Sequence, residues 1–360
     1  MMLKTYQKYI IQKFISKFFL ITFIFFSLTI VLGSLEEISF SKDLDINFIY
    51  PYFLTLLNAP ITLFEIFPFI FLLTTQFLFY DLFKKEELNL LKTNGLSNFS
   101  IIKIIFFIAI TIGLFNIAIF YNISSNLKFH YSNIKNNLSN DNKYLAMVTK
   151  SGLWIKDEVG EKKLIIKSNF IKDNFISETI INEFDKNYNL IRVIQSKKID
   201  ITNNKWIVFN PLITKNNLTK SIDEQMVIET NFNHEKISNI FSNVSTLDIF
   251  KLFDLKKDYE RLGYSSDEIF IHLLKLSTTP LVYGILSILS AIIMFGMTKK
   301  GSILVHITTG FLISVMIYYL MFFFASLGNS GKIPVLLSVS FPILIMTIIS
   351  IIGLVNINEK

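Results

Sequence analysis

Long apolar runs and one extended polar stretch divide this chain. Runs from Phe18 to Leu35, Ile61 to Tyr80 and Ile104 to Leu127 come before a polar insert, Lys128 to Lys275. Runs from Leu276 to Thr298, Gly301 to about Leu327 and Ile333 to Ile357 come after it. A hydrocarbon core ~30 Å thick takes about 20 apolar residues per helix. The pattern therefore predicts three spans, a soluble domain and three more spans.

Inside the insert the apolar period changes. Lys163 to Phe170, Leu190 to Ile194 and Lys205 to Phe209 are short, rich in β-branched and aromatic residues, and separated by Asn, Asp and Lys turns. Lys186 to Asn189 and Thr202 to Lys205 read as hairpin tips. Seven or more strands between about Tyr144 and Ile237 predict a sandwich or jelly roll. After Ser245 the period turns helical again. The fold class expected is an α-helical membrane protein of six transmembrane helices with an all-β, jellyroll-like domain inserted between helices 3 and 4. Its divisions would be residues 1–127 (spans 1 to 3), 128–245 (the β domain), 246–275 (a helical connector) and 276–360 (spans 4 to 6).

Charge sets the orientation. Lys4, Lys8, Lys13 and Lys17 lead into the first run, and Glu36 and Glu37 stand where a cleaved signal would have small residues, so a retained span is expected. The loop to about Asp45 has one lysine, whereas Asp81 to Lys103 holds Lys84, Lys85, Lys92 and Lys103. Basic loops stay cytoplasmic. Both termini, with Lys299 and Lys300, are then expected inside, and residues 128–275 outside. Glu65, about one turn within the second run, either snorkels to the interface or marks an ion or proton site. Pro280 interrupts the fourth run, and Thr308, Thr309 and Gly310 in the fifth are small enough for close helix contact.

Composition agrees with lipid as solvent: 51% apolar residues, 15% aromatic residues and a mean hydropathy of +0.49. The chain has no cysteine, which excludes disulfides, thiolate zinc sites, iron–sulfur clusters and cysteine nucleophiles. The net charge of +7 comes from scattered lysines rather than a basic stripe, so nucleic acid is not expected as a partner. Gly328-Asn-Ser-Gly-Lys332 lacks the spacing of a phosphate loop. His130, His234, His272 and His306 stand too far apart in sequence for a metal motif, and there is no Gly-x-Ser-x-Gly elbow. No catalytic residue, metal or bound cofactor is expected on this chain.

The loop from Tyr80 to Ser97 carries a different signal. Leu88 and Leu91 share one face of a short helix, Gly95 suits its C-terminal cap, and a new helix starts at Ser97. A short amphipathic helix between two spans either docks into a separate ATPase or rests on lipid headgroups.

This loop and its surroundings resemble the permease subunits of the lipopolysaccharide-transport ABC exporter, the LptF/LptG family. The resemblance rests on Pro60, Phe67-Pro68, Lys85-Glu-Glu-Leu88 and Thr93-Asn-Gly95-Leu-Ser97. It continues through Ser151-Gly-Leu-Trp-Ile-Lys-Asp157, Lys275 with Pro280-Leu281, Thr309-Gly310 and Gly331-Lys-Ile-Pro334. Gly152-Leu-Trp-Ile-Lys-Asp157 looks more like the LptG member than its sister LptF.

The resemblance implies a sister permease, a homodimeric cytoplasmic ATPase that binds ATP and Mg, a single-span partner with its own periplasmic β domain, and lipopolysaccharide or a related glycolipid as cargo. It implies an ATPase-coupling helix at about Lys84 to Gly95, with Lys84, Lys85, Glu87, Leu88, Leu91 and Gly95. It implies lateral gates at Phe25, Phe26, Leu32 and Gly33 in the first span and at Gly310 and Tyr318 in the fifth. A lipid path along the β domain would pass Trp154, Ile165, Val193 and Trp206. Gly33 stands where family members place a lysine near lipid phosphates, with Glu36 and Glu37 just beyond, which leaves a modified or less phosphorylated cargo open. A glycolipid-modifying transferase and an anchored periplasmic sensor or scaffold are alternatives outside the transport class.

Overall fold

A computed structural model of the chain describes residues 4–42, 44, 47–138, 153–172, 174–215, 218–221, 225–234, 237, 243–262, 265–296 and 303–358. Expected features at Tyr144, Ser151, Gly152, Lys299 and Lys300 lie outside these residues. The chain divides into two compact units, Met1–Tyr131 with Phe270–Lys360, and Ser132–Ile269.

The first unit holds α1 (Thr5–Ser41), α2 (Tyr50–Lys84), α3 (Glu87–Thr93) and α4 (Asn98–Phe115). A π-helical stretch, Asn116–Tyr121, then joins α4 to α5 (Asn122–Leu138). After the insert and its helix α6 (Ile249–Leu262) come α7 (Asp267–Gly296), α8 (Ile303–Asn329) and α9 (Val335–Asn358). Among the described residues six helices are long and apolar enough to cross a membrane: α1, α2, the run from α4 into α5, α7, α8 and α9.

Apolar side chains alone would permit strands, but backbone groups in hydrocarbon must be satisfied within the segment, and a helix does that. Pro51 sits in the first turn of α2, where its missing N–H is harmless. Ser97 caps α4, its hydroxyl accepting from the backbone N–H of Ser100 at 3.2 Å.

Aromatic side chains fill one core of this unit. Phe14 and Phe18 of α1 meet Phe67 and Phe71 of α2, and Phe71 stacks on Tyr283 of α7 with centroids 4.3 Å apart. A second core joins Leu72 of α2, Leu286 of α7, Ile317 of α8 and Val339 of α9. The π stretch serves the first core. Asn116 and Tyr121 are both buried, although five residues of ordinary α-helix would set them about 140° apart. One wide turn brings them to the same side, and the Tyr121 hydroxyl then shares a 2.8 Å hydrogen bond with His272 Nε2 on α7.

Among the described residues the second unit holds an antiparallel sheet of eight strands: β1 (Leu153–Val159), β2 (Lys162–Lys172), β3 (Phe175–Phe184), β4 (Leu190–Asp200), β5 (Lys205–Phe209), β6 (Leu212–Lys215), β7 (Leu218–Ser221) and β8 (Met226–Glu229). The order is β1-β2-β3-β4-β5-β8, with β6 and β7 branching from β4. The all-β insert between the third and fourth spans is thus present. Alternation sets its register, because a slip of one residue would turn every side chain to the wrong face. Ile155, Ile166, Ile181 and Ile194 line up across four strands, each 1% exposed or less.

Asp157 of β1 ties the two ends of the strand order together. It is 2% exposed and accepts from the Thr230 hydroxyl at 2.7 Å, the Asn231 backbone N–H at 2.8 Å and the Asn231 side-chain amide at 2.9 Å, just beyond β8. Removing a buried acceptor strands its donors without partners, at a cost on the order of 3 kcal/mol for this set. Asp157→Ala is expected to lower the melting temperature of the β unit by roughly 10 °C in the purified full chain. An unchanged melting curve would show that the tie contributes nothing.

Candidate functional site

The loop helix α3 is held by the chain's own core. Leu88 is 2% exposed and Leu91 half-buried, both packed with the cluster that includes Phe79, Leu82 and Ile101. Gly95 ends the helix with φ +82°, a left-handed conformation that glycine enters without penalty, and its N–H donates to the Lys92 carbonyl at 2.9 Å. Lys84 closes α2 with its ammonium 5.6 Å over the Tyr80 ring, and Lys85 is exposed at the junction. The Glu87 carboxylate forms an ion pair with Lys13 of α1. Leu88, Leu91 and Glu87 are therefore turned toward this chain, and Leu90, 61% exposed, is the leucine presented outward, flanked by exposed Asn89 and Lys92. Amphipathic spacing finds the two faces of such a helix but does not say which one the same chain covers.

The residues expected at the gates fall in three places. Phe25, Leu32 and Gly33 line a cleft of about 250 Å³ between α1 and α2, together with Thr29, Thr55 and Glu37. Phe26, together with Phe25, packs against the aromatic core. Gly310 of α8 lies against α2 so closely that a Cβ would stand 1.9 Å from the Gln76 amide nitrogen, and that amide donates to the His306 carbonyl at 3.1 Å. Tyr318 is half exposed, with its ring 6.1 Å from Phe69 of α2. Since α2 packs against both α1 and α8, the two expected gate helices flank it.

The cleft is polar at one end. Glu37, 2% exposed, accepts from the Tyr131 hydroxyl at 2.7 Å, which joins the end of α1 to α5. A Cβ at Gly33 would come within 2.9 Å of Thr55 Cγ2, so a side chain there would require Thr55 to shift. Glu65 is exposed on the outside of α2.

In the β unit the register sorts the expected path residues. Ile165, Asn182 and Val193 stand opposite one another across β2, β3 and β4. Lys156 pairs with Ile165, which places Trp154, two residues earlier, on the same face. Trp154 is 44% exposed there, and Ile165 and Val193 are half-buried. Trp206 belongs to the other face: it is fully buried, and its indole N–H donates to the Phe232 carbonyl at 2.7 Å. The three successive apolar residues Leu164-Ile165-Ile166 leave the phase open in the sequence, and the structure turns Leu164 and Ile166 inward.

Sequence reasoning passed over several contacts. Lys13 and Lys17 were legible only as signals of orientation, yet each makes an ion pair, Lys17 Nζ standing 2.6 Å from Asp81 Oδ2. Their i, i+4 spacing was the available sign. The partners of Asp157 and Tyr121 lie too far along the chain for any local signal.

Six apolar helices, a short helix anchored between the second and third, and a β unit between the third and fourth define a multi-pass membrane protein. Residues 8–356 match the family described as lipopolysaccharide export system permease LptF/LptG, and the chain belongs to that family. It is thus an inner-membrane protein of a lipopolysaccharide-transport permease family. A comparison with curated proteins gave no match.

The β unit also carries a pH-sensitive ion cluster. The Glu183 side chain is 4% exposed and pairs with Lys162 at 2.7 Å and Arg192 at 2.6 Å. Burial pushes its carboxyl up, but hydrogen bonds from Lys162 and Arg192 outweigh burial and hold the pKa below its ordinary value of 4.5. A lowered folded-state pKa gives stability that is complete above the unfolded value and is lost as the pH falls through the folded one. Between about pH 5 and pH 3 the wild-type β unit should therefore lose stability more steeply than Glu183→Gln. Parallel melting-temperature profiles for the two would remove this role.

Proposed function

We propose that this chain is one permease of an ABC exporter that extracts lipopolysaccharide or a related glycolipid from the inner membrane and passes it toward a periplasmic β-jellyroll bridge. It works with a sister permease of the same layout and a single-span partner, above a homodimeric cytoplasmic ATPase that holds the ATP and Mg. The lysines around α3 argue that this end of the bundle and both termini are cytoplasmic, with residues 128–275 in the periplasm. The Gly-Leu-Trp-Ile-Lys-Asp run ending at Asp157 favours the LptG type over the LptF type.

The observation that carries the reading is the way α3 is held. Leu88 and Leu91 fix it to the bundle, while Leu90, Lys84, Lys85 and Lys92 stay outside as a surface on which a separate protein can seat. A polyacylated lipid leaves the bilayer only if another apolar surface receives it, since each exposed methylene costs ~0.8 kcal/mol. ATP hydrolysis would supply that work, and the face bearing Trp154, Ile165 and Val193 would be the receiving surface. Because Glu36 and Glu37 border the cleft at Gly33, a less phosphorylated head group suits that end of the path.

Leu90→Asp leaves the buried side of α3 untouched and should reduce copurification of the ATPase by about tenfold, as loss of one central apolar anchor does. Undiminished copurification would sink the docking role. A photocrosslinker at Ile165 should capture lipid when ATP is supplied, and adducts that form equally without ATP would count against ATP-driven delivery to this face.

A further inference from the structure

The exposed side of α3 explains how a motor protein would hold this chain, but it leaves open how motion of so short a helix reaches the bilayer. The turn into α3 is a weak connection. Glu86 takes φ +56°, a left-handed conformation unfavourable to a residue with a side chain, so the backbone here is a strained corner rather than a continuous rod. Side-chain contacts must hold α3 in place. Leu88 and Leu91 supply apolar contact, and the ionic contacts run to one helix, α1.

Lys13 and Lys17 stand one turn apart on α1, beside the face that puts Phe14 and Phe18 into the core. Lys13 pairs with Glu87, the first residue of α3, and its ammonium lies 4.8 Å over the Tyr9 ring. Lys17 pairs with Asp81, in the last turn of α2. All four side chains are between 20% and 26% exposed. At that depth screening by water is partial, and the pairs are more than transient surface contacts.

We propose that Lys13 is a positioning residue whose ion pair with Glu87 forms a latch that transmits displacement of α3 to α1 and so to the first-span cleft at Gly33, while Lys17 ties α1 to the end of α2 through Asp81. The latch rests on the reading of α3 as the ATPase-coupling element. α1 is unbroken from Thr5 to Ser41, about 55 Å at 1.5 Å per residue. A pull on its Lys13 end therefore reaches the cleft residues Phe25 and Leu32 as a rigid-body movement, with no proline or glycine between Lys13 and Leu32 to absorb it.

The test uses the whole complex with its ATPase in proteoliposomes containing lipopolysaccharide, and measures lipid delivered per ATP hydrolysed. Lys13→Glu, and separately Glu87→Lys, should lower that ratio about tenfold, and the double swap should restore at least half of it, as expected when the pair rather than either charge matters. Lys13→Gln provides a milder version should the reversal fail to fold. The absence of cysteine permits a second measurement on the same chain. Lys13→Cys with Glu87→Cys should couple well when the two thiols are bridged by a bis-maleimide and poorly when left unbridged. Single variants with an unchanged ratio, a swap that restores nothing, or coupling indifferent to the crosslink would each overturn the latch. A wild-type chain that binds no ATPase would instead overturn the proposed function, which keeps the two failures apart.

Discussion

Satisfying the backbone inside hydrocarbon is the constraint from which the helical unit follows. No water is available there to take up a free N–H or C=O, so each span must be a helix, and each departure from helical regularity needs a neighbour. The departures are placed accordingly. Pro280 of α7 lies where that helix packs on α4 just ahead of the π stretch: a Cβ at Gly113 would stand 2.7 Å from its Cα. Polar side chains in the same region turn to carbonyls: the Ser290 hydroxyl donates to the Leu72 carbonyl at 2.7 Å, and Gln76 to that of His306. Aromatic rings lie beside them, with Phe67 and Phe71 packed against Tyr283.

The β unit obeys a different solvent. Water can take up stray polar groups, so alternation rather than continuous hydrophobicity decides which side of each strand is covered. The isoleucine row, the buried Trp206 and the tie at Asp157 make one side a core. The other side keeps Trp154, Ile165 and Val193 at intermediate or open positions. Apolar and cationic side chains alternate on that side, as in Trp154, Lys156 and Lys167.

Much of this was legible in the sequence, because the strongest signals were long. Six apolar runs gave six spans, and the hairpin tip at Lys186 to Asn189 appears where Asn and Asp crowd, with Asp185 accepting from the backbone N–H groups of Asn187 and Asn189. Boundaries were less legible. α1 begins at Thr5 rather than Phe18, since the lysine-bearing turns place Ile10 and Phe14 in the core and continue the helix beyond the lipid-like run. The roles within α3 were the least legible. Leu88 and Leu91 obeyed the amphipathic rule, but their partner proved to be this chain, and only three-dimensional neighbours such as Phe79 decide that. The residues that register sorted, Ile165 against Trp206, differ for a similar reason: pairing partners come from distant strands.

The π stretch has one consequence for the helix that leaves the bundle. A single additional residue in a helical turn advances everything after it by about 100°. α5 therefore departs at an angular setting fixed by residues 116–121, and that setting is what points the Tyr131 hydroxyl at Glu37. The same chain wound as ordinary α-helix throughout would aim Tyr131 elsewhere. The wide turn thus works as a phase adjuster, matching the rotation of an outgoing helix to a fixed acceptor on its neighbour.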